Sequence, residues 1–241
     1  MAKTLEIPWT NYGRPFPYPN KPWTGYQEWH NVIYLHWKVE TETLRKVVPN
    51  ELEIDTFNGQ AYLSVVPFSV RKLRQRFIIP LPPISDFEEL NVRTYVKYNG
   101  VPGIYFFSLE ASKWAPVVAA RFTTRLPYVN SEIWREEDMY YANSKKFGFE
   151  FHINFKLEEK EITKDLLTSW LTDRFRLYVK TSGHINCIDV HHHPWVLKPL
   201  VLRYLKLNYM IGGFPLSKQA PDLTHFSDGV KVVTWRRKRD L

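Results

Sequence analysis

The side chains best placed to do chemistry lie in one short run, Phe87 to Val96, which reads FEELNVRTYV. Glu89, Asn91, Arg93 and Tyr95 recur at every second position, and Leu90, Val92, Thr94 and Val96 fill the gaps. Alternate side chains of an extended chain point to opposite faces, so the carboxyl, amide, guanidinium and phenol share one side. That side is either the watered face of an open sheet or the lining of a closed one. In a lumen, the same four groups can orient a small polar ligand by charge and hydrogen bonds.

A second concentration of reactive groups is His191-His192-His193, followed by Pro194 and Trp195. In a strand His191 and His193 share a face and could supply two ligands to zinc, which wants at least a third. No Cys-x-x-Cys or His-Glu-x-x-His accompanies them. Packed or cavity-lining histidines are therefore expected, and no metal. His192 or His193 could titrate near neutral pH and move protons. Cys187 is the single cysteine, so an internal disulfide is excluded, and a buried small residue is a better reading than a nucleophile. No Gly-x-Ser-x-Gly elbow, Gly-x-Gly-x-x-Gly or phosphate-binding loop is present, and no cofactor is expected.

The elements that must position these groups are mostly strands. Asn31 to Val39 alternates Ile33, Leu35, Trp37 and Val39 against Tyr34, His36 and Lys38. Ala61 to Val70 follows the Asp55 to Gly59 turn, and Asn99-Gly100-Val101-Pro102-Gly103 joins the Glu89 strand to a hairpin partner, Ile104 to Leu109. Phe147, Phe149, Phe151, Ile153, Phe155 and Leu157 are the cleanest alternation and predict a long strand with one buried face. Arg174 to Lys180 and Val230 to Trp235 predict two more. Helices are expected after Thr41 (Leu44, Val47, Val48), after Thr163 (Leu166, Leu167, Trp170, Leu171) and over Leu197 to Asn208, where Gly212-Gly213 would end the last one. The proline-rich stretch near Pro15 to Pro19 predicts an extended arm, and Ile79 to Pro83 a stiff loop. No repeat or Gly/Ser-rich linker divides the 241 residues, so a single domain over 1–241 is expected, mainly antiparallel β with about three helices.

Composition narrows the function classes. The net charge of +8 fits a solvated basic surface, and Arg236-Arg237-Lys238-Arg239 is expected to be a mobile tail. The chain has no RNA-recognition signature, zinc-finger spacing or helix-turn-helix, so nucleic acid is not an expected partner. The start, Met1 to Glu6, lacks the apolar run of a secretory signal, and no stretch is apolar for long enough to span a bilayer, so a cytoplasmic protein without a membrane partner is expected. A small-molecule ligand is the expected partner, and self-association is left open.

Several segments together resemble the YqjF-like family of uncharacterised bacterial proteins, which belongs with the acetoacetate decarboxylase-like fold. They are Leu52 to Gly59 (LEIDTFNG), Glu89 to Val96 (ELNVRTYV), Tyr105 to Leu109 (YFFSL), Arg176-Leu177-Tyr178, His193-Pro194-Trp195 and Ser227 to Val230 (SDGV). The resemblance implies an antiparallel β-barrel or cone with a central cavity. It also implies that Glu89, Arg121 and Tyr128 meet in that cavity as the catalytic or ligand-orienting set, with Asn91, Arg93, Tyr95, His193 and Trp195 around the ligand. Acetoacetate decarboxylases carry a Schiff-base lysine after the proline where this chain has Pro127-Tyr128. A phenol cannot form an iminium, so the resemblance implies a pocket without that covalent chemistry. Two functions follow as expectations: binding of a small organic molecule, for example a carboxylate, carbonyl or aromatic compound, or a non-covalent lyase, isomerase or hydrolase using Glu89, Arg121 and Tyr128 as acid–base and oxyanion groups.

Overall fold

A computed structural model describes residues 13–146, 148–216 and 219–239. Phe147 and the extreme N-terminus fall outside the described residues. In chain order the elements begin with β1 (Gly25–Val39), α1 (Thr41–Arg45), β2 (Glu53–Ile54), β3 (Ala61–Gln75), α2 (Pro82–Ser85), β4 (Phe87–Tyr98), β5 (Val101–Ala111) and α3 (Trp114–Thr124). Then come β6 (Tyr128–Asn130), β7 (Glu132–Arg135), β8 (Met139–Ser144), β9 (Phe149–Leu157), α4 (Leu166–Thr172), β10 (Arg176–Thr181) and β11 (His184–His192). The chain closes with β12 (Lys198–Asn208), β13 (Met210–Ile211), β14 (Phe214–Pro215), β15 (Leu223–Thr234) and β16 (Lys238–Arg239).

The large sheet runs β11-β10-β5-β4-β3-β1-β15, and β15 pairs back onto β11, so these strands form a ring. From β15 the sheet continues through β12, β9, β8 and β7. The alternating side chains of β9 explain this second layer. Phe149, Phe151, Ile153 and Phe155 are buried with Ile33, Leu35, Leu63, Val65, Leu90 and Val92, which point out of the ring. A strand with one apolar face needs another apolar surface against it, and the outer face of the ring supplies it. The inner faces of the ring form separate clusters, one around Tyr34, Val66 and Phe68 and one around Ile104, Phe106 and Val190.

The fold is mainly β, as expected, and several local expectations are corrected. Pairing is mainly antiparallel, as expected, with two parallel exceptions where β5 meets β10 and β6. Gly103 permits the close approach to β10, because an added Cβ would strike the Tyr178 ring and the Arg176 carbonyl. Residues 198–208 form strand β12, not a helix. Arg203 is an extra residue in its pairing with β9, between Leu202 and Tyr204. That bulge flips the side-chain parity, so Leu200, Leu202, Leu205 and Leu207 all face the core at a spacing that mimics a helix. Gly212 and Gly213, at φ 55° and 88°, form the turn of the β13–β14 hairpin. α4 is capped by Asp165, whose carboxylate accepts from the Thr168 N–H at 2.7 Å, and not by Thr163. Thr41 is the first residue of α1 and makes no cap bond, its N-cap being Glu40. The basic tail is anchored rather than loose: β16 pairs with β11, and Lys238 Nζ lies 3.1 Å from Asp189.

Asp189 also explains the proline-rich arm. It is buried and receives Arg14 at 3.3 Å and Arg176 at 2.8 Å. Arg14 further donates to the Val190 carbonyl at 2.6 Å and lies over the Phe16 ring. One carboxylate thus ties the arm, β10 and the tail to the strand that closes the ring.

Candidate functional site

Inside the ring is a cavity of about 60 Å³. β1 contributes Gln27, Trp29, Val32 and Tyr34; β3 contributes Val66 and Phe68; β4 contributes Glu89, Asn91 and Arg93. Ile104, Phe106 and Leu109 of β5, Leu126 and Tyr128 beyond α3, and Val190 and His192 of β11 complete the walls with Trp195. Thr172 and Arg174 reach it from the end of α4.

The alternation of β4 therefore places Glu89, Asn91 and Arg93 in the lumen. Tyr95 shares their face but lies below the cavity, packed with Tyr62 and Leu171 and 4.7 Å from the Trp170 ring. Its hydroxyl bonds Ser64 at 2.7 Å, and Ser64 in turn meets His36 Nδ1 at 2.7 Å. Tyr95 is thus part of the floor and is not a lining group.

Glu89 and Tyr128 do meet. The Tyr128 hydroxyl donates to Glu89 Oε2 at 3.2 Å, brought there by the parallel pairing of β6 on β5. Burial pushes the Glu89 carboxyl up to about 8, and the hydroxyl's bond offsets only part of that. Near neutral pH the group is chiefly a protonated acid. Burial and the adjacent carboxyl also raise the Tyr128 phenol well above its ordinary value.

Arg121 does not join them. The Trp114 to Thr124 run is a helix whose buried residues are Pro116 and Val117, and Arg121 projects from its last turn, exposed. The positive charge of the lumen comes from Arg93 and Arg174 instead. Arg93 is buried with its guanidinium carbon 5.5 Å from the Tyr34 ring, and its Nε and Nη2 have no hydrogen-bond partner among the described residues. Asn91 Oδ1 likewise has none. Arg174, which strand periodicity did not single out, is held by Asp55 at 2.7 Å and by the Trp170 carbonyl at 2.6 Å, over the Trp170 ring. Asp55 also pairs with Lys97 at 2.9 Å, which gives the LEIDTFNG segment its structural task.

The histidine run divides differently from the expectation. β11 ends at His192, which lines the cavity, while His193 has left the strand and is exposed. His192 Nδ1 donates to the His193 carbonyl at 2.6 Å. Burial lowers His192 to about 4, so it is neutral at physiological pH rather than titrating there. Trp195 stacks on Trp29 with an interplanar angle of 9°, and its Nε1 donates to the Thr172 carbonyl at 3.0 Å. Gly229, at φ 133°, lets β15 pass against the Trp29 carbonyl, where a Cβ would clash; this accounts for the SDGV segment. Among the described residues no group of three metal-ligating side chains comes together, and no helix is long and apolar enough to cross a membrane. Among the described residues, no lysine lines the cavity.

Comparisons agree with this architecture. The chain is similar over its length to solved structures of an acetoacetate decarboxylase from Legionella pneumophila (TM-score 0.59, 12% identity, 95% of this chain and 94% of that one). An acetoacetate decarboxylase-like enzyme from Sphingomonas wittichii RW1 superposes with TM-score 0.62 at 10% identity, covering 94% and 98%. The enduracididine biosynthesis enzyme MppR with bound HEPES gives 0.53 at 10% identity, covering 92% and 88%. At these identities the likeness establishes the fold. In sequence the chain is 41% identical over 226 residues to the uncharacterized protein YqjF of Bacillus subtilis (strain 168), spanning 90% of this chain and 93% of that one. Residues 26–231 match DUF2071, described as an uncharacterized conserved protein, and the chain belongs to that family.

Proposed function

We propose that the lumen binds a short organic acid, with Arg93 as its counter-ion. The observation that carries this is the Arg93 edge. Nε and Nη2 together form one side of the guanidinium fork that matches a carboxylate, and both are buried without a partner among the described residues. A buried donor without an acceptor is costly, and an anion in the lumen would satisfy two at once. Asn91 and the protonated Glu89 would hydrogen-bond the ligand's remaining oxygens, and Trp29, Phe68 and Phe106 would cover its carbon chain. Size favours a small ligand: a cavity of roughly 150 Å³ is what admits benzene, and this one is about 60 Å³. The aromatic class therefore recedes and the short carboxylate or oxo acid advances. That size class also suits the substrate named in the acetoacetate decarboxylases, although among the described residues no lysine amine lines the lumen for Schiff-base capture.

Thermal shift against a panel of short carboxylic and oxo acids tests the assignment. A ligand at a hundred times its Kd should add about 2.7 kcal/mol of stability. Arg93→Met should abolish that gain and Arg121→Ala should keep it. Hits that survive Arg93→Met would remove Arg93 from the site, and a panel with no hits would remove the ligand class.

A second function draws support from the Glu89–Tyr128 pair. A carboxyl near 8 bonded to a phenol is suited to give and take protons at neutral pH, as an acid–base lyase, isomerase or hydrolase needs. Turnover of a bound acid that is lost in Glu89→Gln with affinity retained would establish it. Binding without turnover in the unaltered protein would exclude it for that ligand.

A further inference from the structure

The end of the ring that holds Glu89 and Tyr128 carries a surface of unusual make-up. Between β3 and β4 the chain runs Phe77-Ile78-Ile79-Pro80-Leu81-Pro82-Pro83-Ile84, and Phe77 and Ile79 are 87% and 80% exposed. Beside it, α3 packs Val117 against the ring, with Val70, Phe87 and Ala111. The same helix sets Trp114, Val118 and Phe122 outward, 69%, 56% and 75% exposed. Their spacing of four residues makes one stripe along the helix. α2 touches α3, and Lys113 Nζ donates to the Pro82 carbonyl at 3.2 Å, so loop and stripe adjoin. Single exposed aliphatics are ordinary, whereas an adjoining set like this marks an interaction face.

Charge identifies the partner. Arg71, Lys72, Arg74 and Arg76 precede the loop, and Lys113, Arg121 and Arg125 lie on or beside α3. Neither segment 71–85 nor segment 113–127 contains an Asp or Glu. Arg71 and Lys72 are paired with Glu88 and Glu28. Arg74, Arg76, Arg121 and Arg125 have no carboxylate within ion-pair distance among the described residues, and Lys113 feels Asp86 only at longer range. Arg76 lies 4.8 Å from the Phe77 ring and Arg125 5.8 Å from the Phe122 ring, so cation and aromatic stand side by side.

We propose that this face docks on a membrane surface of anionic lipids, the loop and the α3 stripe entering the headgroup layer while the cations meet the phosphates. Apolar residues beside Lys and Arg are what such interfacial attachment uses, and the net charge of +8 adds long-range attraction. Shape and charge favour lipid over protein. The prolines at 80, 82 and 83 lack the N–H groups that strand addition needs. A projecting loop needs a matching hollow on a protein, whereas a bilayer accepts any projection. A second copy meeting this face symmetrically would set cations against cations. Docking of this kind needs no spanning segment, so it departs from the expectation of no membrane partner, which rested on the lack of one. It does not depend on what the lumen binds.

Flotation of the full chain with vesicles of phosphatidylcholine, alone or mixed with phosphatidylglycerol, tests it. The protein should float with the mixed vesicles only, and added salt should weaken the association. Arg121→Glu with Arg125→Glu should lower partitioning by at least about fivefold per charge. Phe77→Ser with Ile79→Ser and Phe122→Ser should abolish flotation without lowering the melting temperature, since these side chains are exposed. Mixed vesicles should shift tryptophan emission to the blue, and Trp114→Phe should remove most of that shift. No flotation, or flotation indifferent to both sets of substitutions, would overturn the assignment. So would concentration-dependent dimerisation lost in the triple variant, or binding to polyglutamate as tight as to mixed vesicles and unaffected by it.

Discussion

Glu89→Gln should make the protein more stable at alkaline pH, and the size of the effect follows from the site. The folded carboxyl titrates near 8 and the unfolded one near 4.5, because burial disfavours its charge. Between those values the native state keeps a proton that the unfolded chain releases. Stability from this group is therefore complete below about pH 4.5 and falls as the pH rises to about 8, at about 1.4 kcal/mol per pH unit. Over the whole interval the loss is at most about 5 kcal/mol. That is a large share of the roughly 5–15 kcal/mol that holds a typical domain together. Glutamine keeps an acceptor for the Tyr128 hydroxyl and has no charge to bury. Urea unfolding of both proteins from pH 5 to pH 9 isolates Glu89, since other buried groups cancel in the difference. Glu110, also raised by burial among Ser131, Ser144 and Ser108, would otherwise add to the slope. The variant should be near parity at pH 5 and several kcal/mol ahead at pH 9. A difference that stays constant within about 1 kcal/mol would show that Glu89 is ionised in the folded protein and would refute its role as a neutral acid.

Asp189→Asn should destabilise by about 3–5 kcal/mol, because Arg14 and Arg176 would remain buried without their carboxylate; urea unfolding at neutral pH reads it, and a loss below about 1 kcal/mol would count against the tie between arm and ring. Gly229→Ala should cost about 1–3 kcal/mol through its φ of 133° and the clash with the Trp29 carbonyl, visible as a lower melting temperature. Arg121→Ala should leave stability within about 0.5 kcal/mol of the parent, as befits an exposed side chain on α3; a larger loss would mean that its side chain packs after all.

The strands were legible because their cause is local. Two-residue alternation put Leu90 and Val92 outside and Glu89, Asn91 and Arg93 inside, and it marked β9 as a strand needing cover. What alternation cannot carry is depth along the ring axis. Tyr95 continues the inward face, yet it lies beneath the cavity, where Trp170 and Leu171 of α4 pack against it. A one-residue irregularity was equally invisible. The bulge at Arg203 gave β12 a helical spacing, and the end of β11 exchanged His192 for His193 at the cavity. Arg121 was misplaced because the resemblance set it in the cavity, whereas Ala119-Ala120-Arg121 continues helix α3 and turns Arg121 to the outside. Arg174 was missed because its position depends on Asp55, far away in the chain, and leaves no local signal.

The carboxylate site is tested most directly by a crystal structure of the protein soaked in pyruvate at acid-to-neutral pH, paired with calorimetry of Arg93→Met. Arg93 as counter-ion requires the carboxylate against its Nε and Nη2 inside the ring, and no heat of binding in the variant. Pyruvate seated on the outer surface, or an empty lumen with Arg93 paired to some other protein group, would contradict it.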